Sequence, residues 1–348
     1  MIDRRTLLGT LGGVTVSGVA HSVVSASRSA RANPAEPAGG LIDLHSHFLP
    51  DFYVRDAVQA GIAFPDGMPK WPSWSIGEHL AMMDSCGVDS AVLSLSSPGV
   101  LLGDTAQAAA LARRVNDFAA EVTSGQPRLG FFASLPLPNV VDSVVEAVRA
   151  LDDLGADGVV MMSNAAGMYL GNAALSPLMA ALHARSAVVF VHPTSPPNAA
   201  AVNLGLPASM MEFLFDTART VVDLLMLGTI DRYPNIRWVL THGGGVLPLL
   251  SDRVDFFRSQ VGIKAPTMSD ILQSMWFDLA GTPAPRQLPA LVSAVGTEHL
   301  VYGSDFCFTP LDAVRQQIQS LDASTPSEVF ANWRRATSDN ARRLLGDI

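Results

Sequence analysis

Leu41-Ile42-Asp43-Leu44-His45-Ser46-His47 reads as a short strand closing on two histidines spaced i, i+2. Side chains two apart on a strand share a face, so both imidazoles are predicted to reach one point on the axis of whatever sheet this strand opens. The same unit then repeats along the chain. Strand-like runs are predicted at residues 41–44, 90–95, 129–134, 158–162, 187–191, 236–240, 275–279 and 300–302, with helical patterns between them. The clearest helix is residues 139–154, with Val141, Val144, Val145, Val148 and Leu151 on one face, Asn139 as its cap and Gly155 as its stop. Residues 105–123, 174–185, 208–230 and 326–345 behave similarly. Eight strand–helix repeats predict an α/β chain folded as a (β/α)8 barrel. An open doubly wound sheet is the alternative, but no Gly-x-Gly-x-x-Gly follows the first strand. Residues 48–75 are too long for a simple loop, and their aromatics and prolines predict an ordered insertion over the barrel mouth.

In such a barrel, chemistry gathers at the C-terminal ends of the strands. His45 and His47 end the first strand, His192 the fifth (Val189-Phe190-Val191-His192-Pro193), His242 the sixth (Val239-Leu240-Thr241-His242) and Asp305 the eighth (Val301-Tyr302-Gly303-Ser304-Asp305). A histidine closing one strand is ordinarily a packed or turn residue. Five metal-ligating side chains at the same end of one barrel are hard to explain that way. Three imidazoles and a carboxylate suit a divalent ion, zinc first, or manganese in a more open site. His79, His183 and His299 read as structural, Cys307 as packed and reduced, and Cys86 as a poor disulfide partner for it.

The 348 residues are 48% hydrophobic and 16% charged, so the chain can bury a large core. A net charge of −9 without a basic block argues against nucleic acid as a partner. Two cysteines are too few for a disulfide framework or a cysteine-based zinc site. Residues 1–32 read as an export signal: Arg4-Arg5, an apolar glycine-dotted run, then Ala30-Arg31-Ala32 as a cleavage site. The paired arginines resemble a twin-arginine signal, which implies a periplasmic or secreted protein. The apolar run falls short of a spanning helix, so no stable membrane insertion is expected once the signal is removed. Residues 33–40 are read as a linker and 41–348 as one barrel domain.

The set Asp43-x-His45-x-His47-x-x-Pro50, His192-Pro193, Thr241-His242-Gly243-Gly244-Gly245 and Gly303-Ser304-Asp305 resembles the amidohydrolase superfamily. More closely it is similar to the branch of aminocarboxymuconate-semialdehyde decarboxylase. Pro72-Ser73-Trp74-Ser75, Met83-Asp84, Leu93-Ser94-Leu95-Ser96-Ser97-Pro98-Gly99, Gly130-Phe131-Phe132-Ala133 and Leu154-Gly155-Ala156-Asp157-Gly158-Val159 are similar to 6-methylsalicylate decarboxylases. The resemblance implies His45, His47, His192 and Asp305 as ligands of one divalent ion, with His242 and Asp305 as the acid/base groups. Binuclear relatives carry a modified lysine where this chain has Val160-Met161-Met162-Ser163, and neither Lys70 nor Lys264 lies on a predicted core strand, so one ion is implied. Resorcylate-type decarboxylases tend to carry Glu where Gly245 stands, which points to the methylsalicylate or semialdehyde type. The implied activity is non-oxidative decarboxylation of a small aromatic or enol carboxylic acid, with Phe48, Trp71 and Trp74 available to stack on its ring. Arg219 is either a pocket cation or a surface residue. The family often forms homodimers. The alternatives are a hydrolase or hydratase, such as a lactonase, on the same single-ion site, and a non-catalytic binding scaffold.

Overall fold

The computed structural model describes residues 40–202, 204–263, 266–324, 330 and 332–346; the predicted signal, residues 33–39 of the linker and Lys264 lie outside the described residues. Eight parallel strands run in the order β1 (Leu41–His47), β2 (Val88–Ser94), β3 (Leu129–Ser134), β4 (Gly158–Met162), β5 (Val188–His192), β6 (Arg237–Leu240), β7 (Trp276–Asp278) and β8 (Leu300–Val301). Bridges from Asp43 to Tyr302 and from Ser46 to Phe306 bring β8 back beside β1, and Leu44 N–H donates to the Tyr302 carbonyl at 2.9 Å. The predicted (β/α)8 barrel is therefore the fold. Its interior is filled by Leu44, Val92, Phe132, Val160, Phe190 and Val239, among others, at alternate positions of successive strands. Among the described residues no helix is long and apolar enough to cross a membrane.

The first strand contains an irregularity that positions the site. Asp43 pairs with Ala91 but Ser46 pairs with Leu93, so β1 spends three residues where β2 spends two. One extra residue reverses the facing of everything after it. Ile42 and Leu44 fill the barrel interior, and beyond the bulge His45 and His47 face the same interior, against Phe190 and His192. Buried Asp43 secures this turn of the strand: one of its oxygens accepts from His45 N–H and from Ser304 N–H, each at 3.0 Å. Across from it, Gly303 lets β8 come close, because a side-chain carbon there would fall 2.6 Å from His45 Cβ and 3.2 Å from Asp278 Cγ.

Several expectations for helices are corrected. Helix Val140–Asp152 has its Asn139 cap, but Val141 and Val145 are exposed (74% and 57%) while Ser143, Glu146, Ala147 and Ala150 are buried. Glu146 is drawn inward by Asn116 Nδ2 at 2.7 Å and by Arg149, and partners on other elements outweigh the apolar pattern. The helix predicted at 208–230 is instead a 3-10 turn, Ala208–Met210, then Glu212–Met226 and Thr229–Arg232, interrupted where Gly228 takes a φ of +64°. The last helix is Trp333–Leu345. The insertion holds a helix, Asp51–Gln59, and a 3-10 turn, Pro65–Gly67.

Candidate metal centre and active site

Four ligand atoms, one each from His45, His47, His192 and Asp305, lie within 4.8 Å of one another. His45 Nε2 is 3.1 Å from His47 Nε2, and Asp305 Oδ1 is 3.0 Å from the latter and 3.4 Å from the former. The opposite ring nitrogens are all engaged outward. His45 Nδ1 meets Asp278 Oδ2 at 2.7 Å, His47 Nδ1 the Ser94 carbonyl at 3.2 Å, and His192 Nδ1 the Pro193 carbonyl at 2.7 Å. These acceptors take the Nδ1 protons and turn three Nε2 lone pairs toward each other and toward a carboxylate. Such a donor set calls for a positive charge at its centre. The electrostatics agree. Burial alone would lower His45, yet Asp278 and Asp305 raise it to about 10. Burial alone would raise Asp305, yet His45, His242 and His47 hold it well below the usual carboxylate range. Burial lowers His192, and the neighbouring imidazoles add to this. The residues present therefore fit one divalent ion.

The Asp305 carboxylate is divided between two tasks. Oδ1 faces the histidine pair, whereas Oδ2 lies 3.6 Å from His242 Nε2 and 3.4 Å from the Thr309 hydroxyl. Both residues stand in the left-handed region, His242 at φ +53° and Asp305 at +57°. Few non-glycine residues adopt this conformation, and those that do concentrate at functional sites.

Of the aromatics predicted to stack on a ring, Phe48 and Trp74 pack on one another and on Phe118, and Trp74 Nε1–H donates to His79 Nδ1. Trp71 meets Tyr53 and Phe308. Phe308, absent from the sequence reading, is the aromatic set edge-on against His47, at 5.5 Å. Arg219 is half-exposed, 3.5 Å from buried Asp216. His183 and His299 sit outside the cluster, against Tyr233 and Trp276, and Cys86 and Cys307 are both free and buried. Sequence reading also missed Asp278, whose second oxygen accepts from His242 N–H at 2.8 Å and Ala280 N–H at 2.9 Å. An acid two positions after inward-facing Trp276 was the available signal.

A cavity of about 380 Å³ opens among the ends of β2, β3, β4 and β5, with Gly99, Leu135, Val160 and Met162 in its wall. Met162 pairs in register with His192 of the cluster, which places the cavity beside the histidines. No Lys, Arg, Asp or Glu lines it.

A (β/α)8 barrel with three imidazoles, one carboxylate and an outer histidine at its mouth defines a single-ion enzyme of the amidohydrolase class. The chain belongs to the amidohydrolase family, whose profile matches residues 42–346. It is 35% identical over 321 residues to the 6-methylsalicylic acid decarboxylase acuB of Aspergillus aculeatus, covering 87% of this chain and 95% of that one. The solved structure of amidohydrolase II superposes with a TM-score of 0.81 at 35% identity, covering 88% and 99% of the two chains. The 5-carboxyvanillate decarboxylase of Novosphingobium aromaticivorans, solved with manganese and a nitrobenzoic acid, shares the fold (TM-score 0.78, 22% identity, 88% and 96% covered).

Proposed function

We propose that this protein is a metal-dependent, non-oxidative decarboxylase of a small, salicylate-like aromatic acid. The observation that carries the reading is the divided Asp305 carboxylate, one oxygen in the ligand cluster and the other facing His242, beside a cavity of about 380 Å³ lined by no charged side chain. Relatives that are decarboxylases of such acids support it. His45, His47, His192 and Asp305 would hold the ion, which when bound supplies the charge that orients the carboxylate and neighbouring phenolate. The remaining work falls to the chain. A proton must be placed on the ring carbon that bears the carboxylate. The bond to the carboxylate then breaks, its electron pair returns to the ring and CO2 leaves, with one proton consumed per turnover. His242 Nε2 and Asp305 Oδ2 are the pair positioned to deliver it.

CO2 release by the metal-loaded protein from a salicylate panel tests the activity; ring opening of lactones without CO2 would replace it with the hydrolase reading. Zinc is the ion proposed from the donor set, and manganese, held by the 5-carboxyvanillate decarboxylase, is its competitor. Elemental analysis is expected to find one ion per chain, and His47→Ala is expected to lose it. His242→Asn, a residue that tolerates φ +53°, should keep the ion and lose turnover by about 10²-fold or more. Two ions per chain, or a fully active His242→Asn, would contradict these assignments.

Export through Arg4-Arg5 to the periplasm is proposed with the same reading. Replacing both arginines by lysine is expected to trap the protein inside the cell, and unchanged export would dismiss the twin-arginine route. A homodimer is proposed from the helix Leu247–Gln260, which leaves Leu249, Phe256 and Phe257 exposed. Sedimentation equilibrium at a monomer's mass would remove that proposal.

A further inference from the structure

The cavity beside the cluster has four polar side chains in its wall, Ser134, Asn164, Thr194 and Ser195. Three are already engaged. Asn164 Nδ2 donates to Asp216 at 2.7 Å and to the Ser195 carbonyl at 3.2 Å, and its oxygen accepts from Gly167 N–H. Thr194 shares a hydrogen bond with Ser97 at 2.7 Å, and the Ser195 hydroxyl donates to Asp66 at 2.6 Å. Ser134 differs. Its hydroxyl is buried and has no partner in the protein, whereas its backbone N–H and C=O are both taken by the Asn116 side chain, at 2.8 and 2.9 Å. Ser134 lies two residues after Phe132, which faces the barrel interior, so its hydroxyl faces that side too. An unpaired hydroxyl in an otherwise satisfied wall is one that a ligand completes, since leaving it unmade disfavours the complex.

We propose that Ser134 determines specificity at the ring: its hydroxyl pairs with a second ring hydroxyl of the substrate, an otherwise apolar aromatic acid with a single carboxylate. This rests on the decarboxylase reading. With the carboxylate and its ortho oxygen held at the ligand cluster, the group that reaches the end of β3 is a different substituent. The absence of charged residues from the wall turns away a second carboxylate, whose desolvation nothing there would offset. A methyl group at the same ring position fits the space but strands the serine hydroxyl.

The test compares kcat/KM for the four dihydroxybenzoates that carry an ortho hydroxyl with that for their methyl-substituted salicylate counterparts, in wild type and in Ser134→Ala. Removal of the hydroxyl is expected to reduce kcat/KM for one dihydroxybenzoate by about 10- to 100-fold and to leave its methyl counterpart unchanged or improved. The dissociation constants of the matching nitro compounds, with nitro in place of carboxylate, should show the same hydroxyl-selective loss without any turnover. Equal losses for hydroxyl and methyl compounds, or no loss for either, would overturn the proposal. Should wild type convert none of these acids, the decarboxylase reading fails, and the nitro-compound affinities still decide the role of Ser134.

Discussion

Asp305→Asn is expected to bind its metal ion and a salicylate-like inhibitor, and to release CO2 about 10²- to 10⁴-fold more slowly than wild type. Three imidazoles remain to hold the ion, and an amide oxygen is a weaker ligand that can occupy the place of Oδ1. Asparagine tolerates the left-handed backbone at φ +57° as well as aspartate does, so the strand end is not disturbed. The change falls on Oδ2, which no longer offers a carboxylate 3.6 Å from His242 Nε2. The measurement is single-turnover CO2 release at saturating metal, with bound metal quantified in the same sample. A metal-replete variant within a few-fold of wild type would end the proton-transfer role of Asp305, and His242 would have to supply the proton alone.

A comparable effect on the metal itself is expected at Asp278, which touches none of the space where substrate would react. In Asp278→Asn an amide nitrogen can take the place of the oxygen that accepts from His45 Nδ1 at 2.7 Å, while the other oxygen keeps its two backbone donors. His45 then has to accept at Nδ1 and carry its proton on Nε2, the nitrogen that faces His47. The lone pair leaves the ligand cluster without any loss of packing. Metal affinity is expected to fall by at least about 10- to 100-fold in competition with a chelator, with the urea midpoint nearly unchanged. Asp278→Ala removes the acceptor from three buried donors and should in addition destabilise the fold by about 2–5 kcal/mol. Wild-type metal affinity in Asp278→Asn would show that another contact fixes the His45 tautomer.

The barrel and the cluster of His45, His47, His192 and Asp305 at its mouth were legible because both follow rules local to one strand. Short apolar runs leading to His192, His242 or Asp305 mark both a strand and the end at which chemistry gathers. The doublet at His45 and His47 was also read as facing the axis, but for an incomplete reason. Simple alternation with Ile42 and Leu44 would have turned it outward, and only the bulge against β2 turns it in. A bulge is a property of a strand pair, so one strand's sequence does not display it. The inward Glu146 and outward Val141 and Val145 fail for the same kind of reason: the partner is Asn116, on another helix. Asp278 and Ser134 are ordinary strand residues by sequence. What distinguishes them is what faces them, three donors in one case and nothing in the other.

The bulge in β1 means that this strand carries two successive inward sets, an apolar one and a ligating one, on a stretch too short for both to share one parity. Transplanting the two histidines alone onto a regular barrel strand, directly after inward-facing core residues, would aim them into the surrounding helices. The unit to transplant is five residues, Asp43 through His47, together with the backbone amide at Ser304 that Asp43 engages. Deleting Leu44 should remove the extra residue instead: regular alternation from Ile42 would then carry both imidazoles inward, with one apolar side chain lost from the barrel interior.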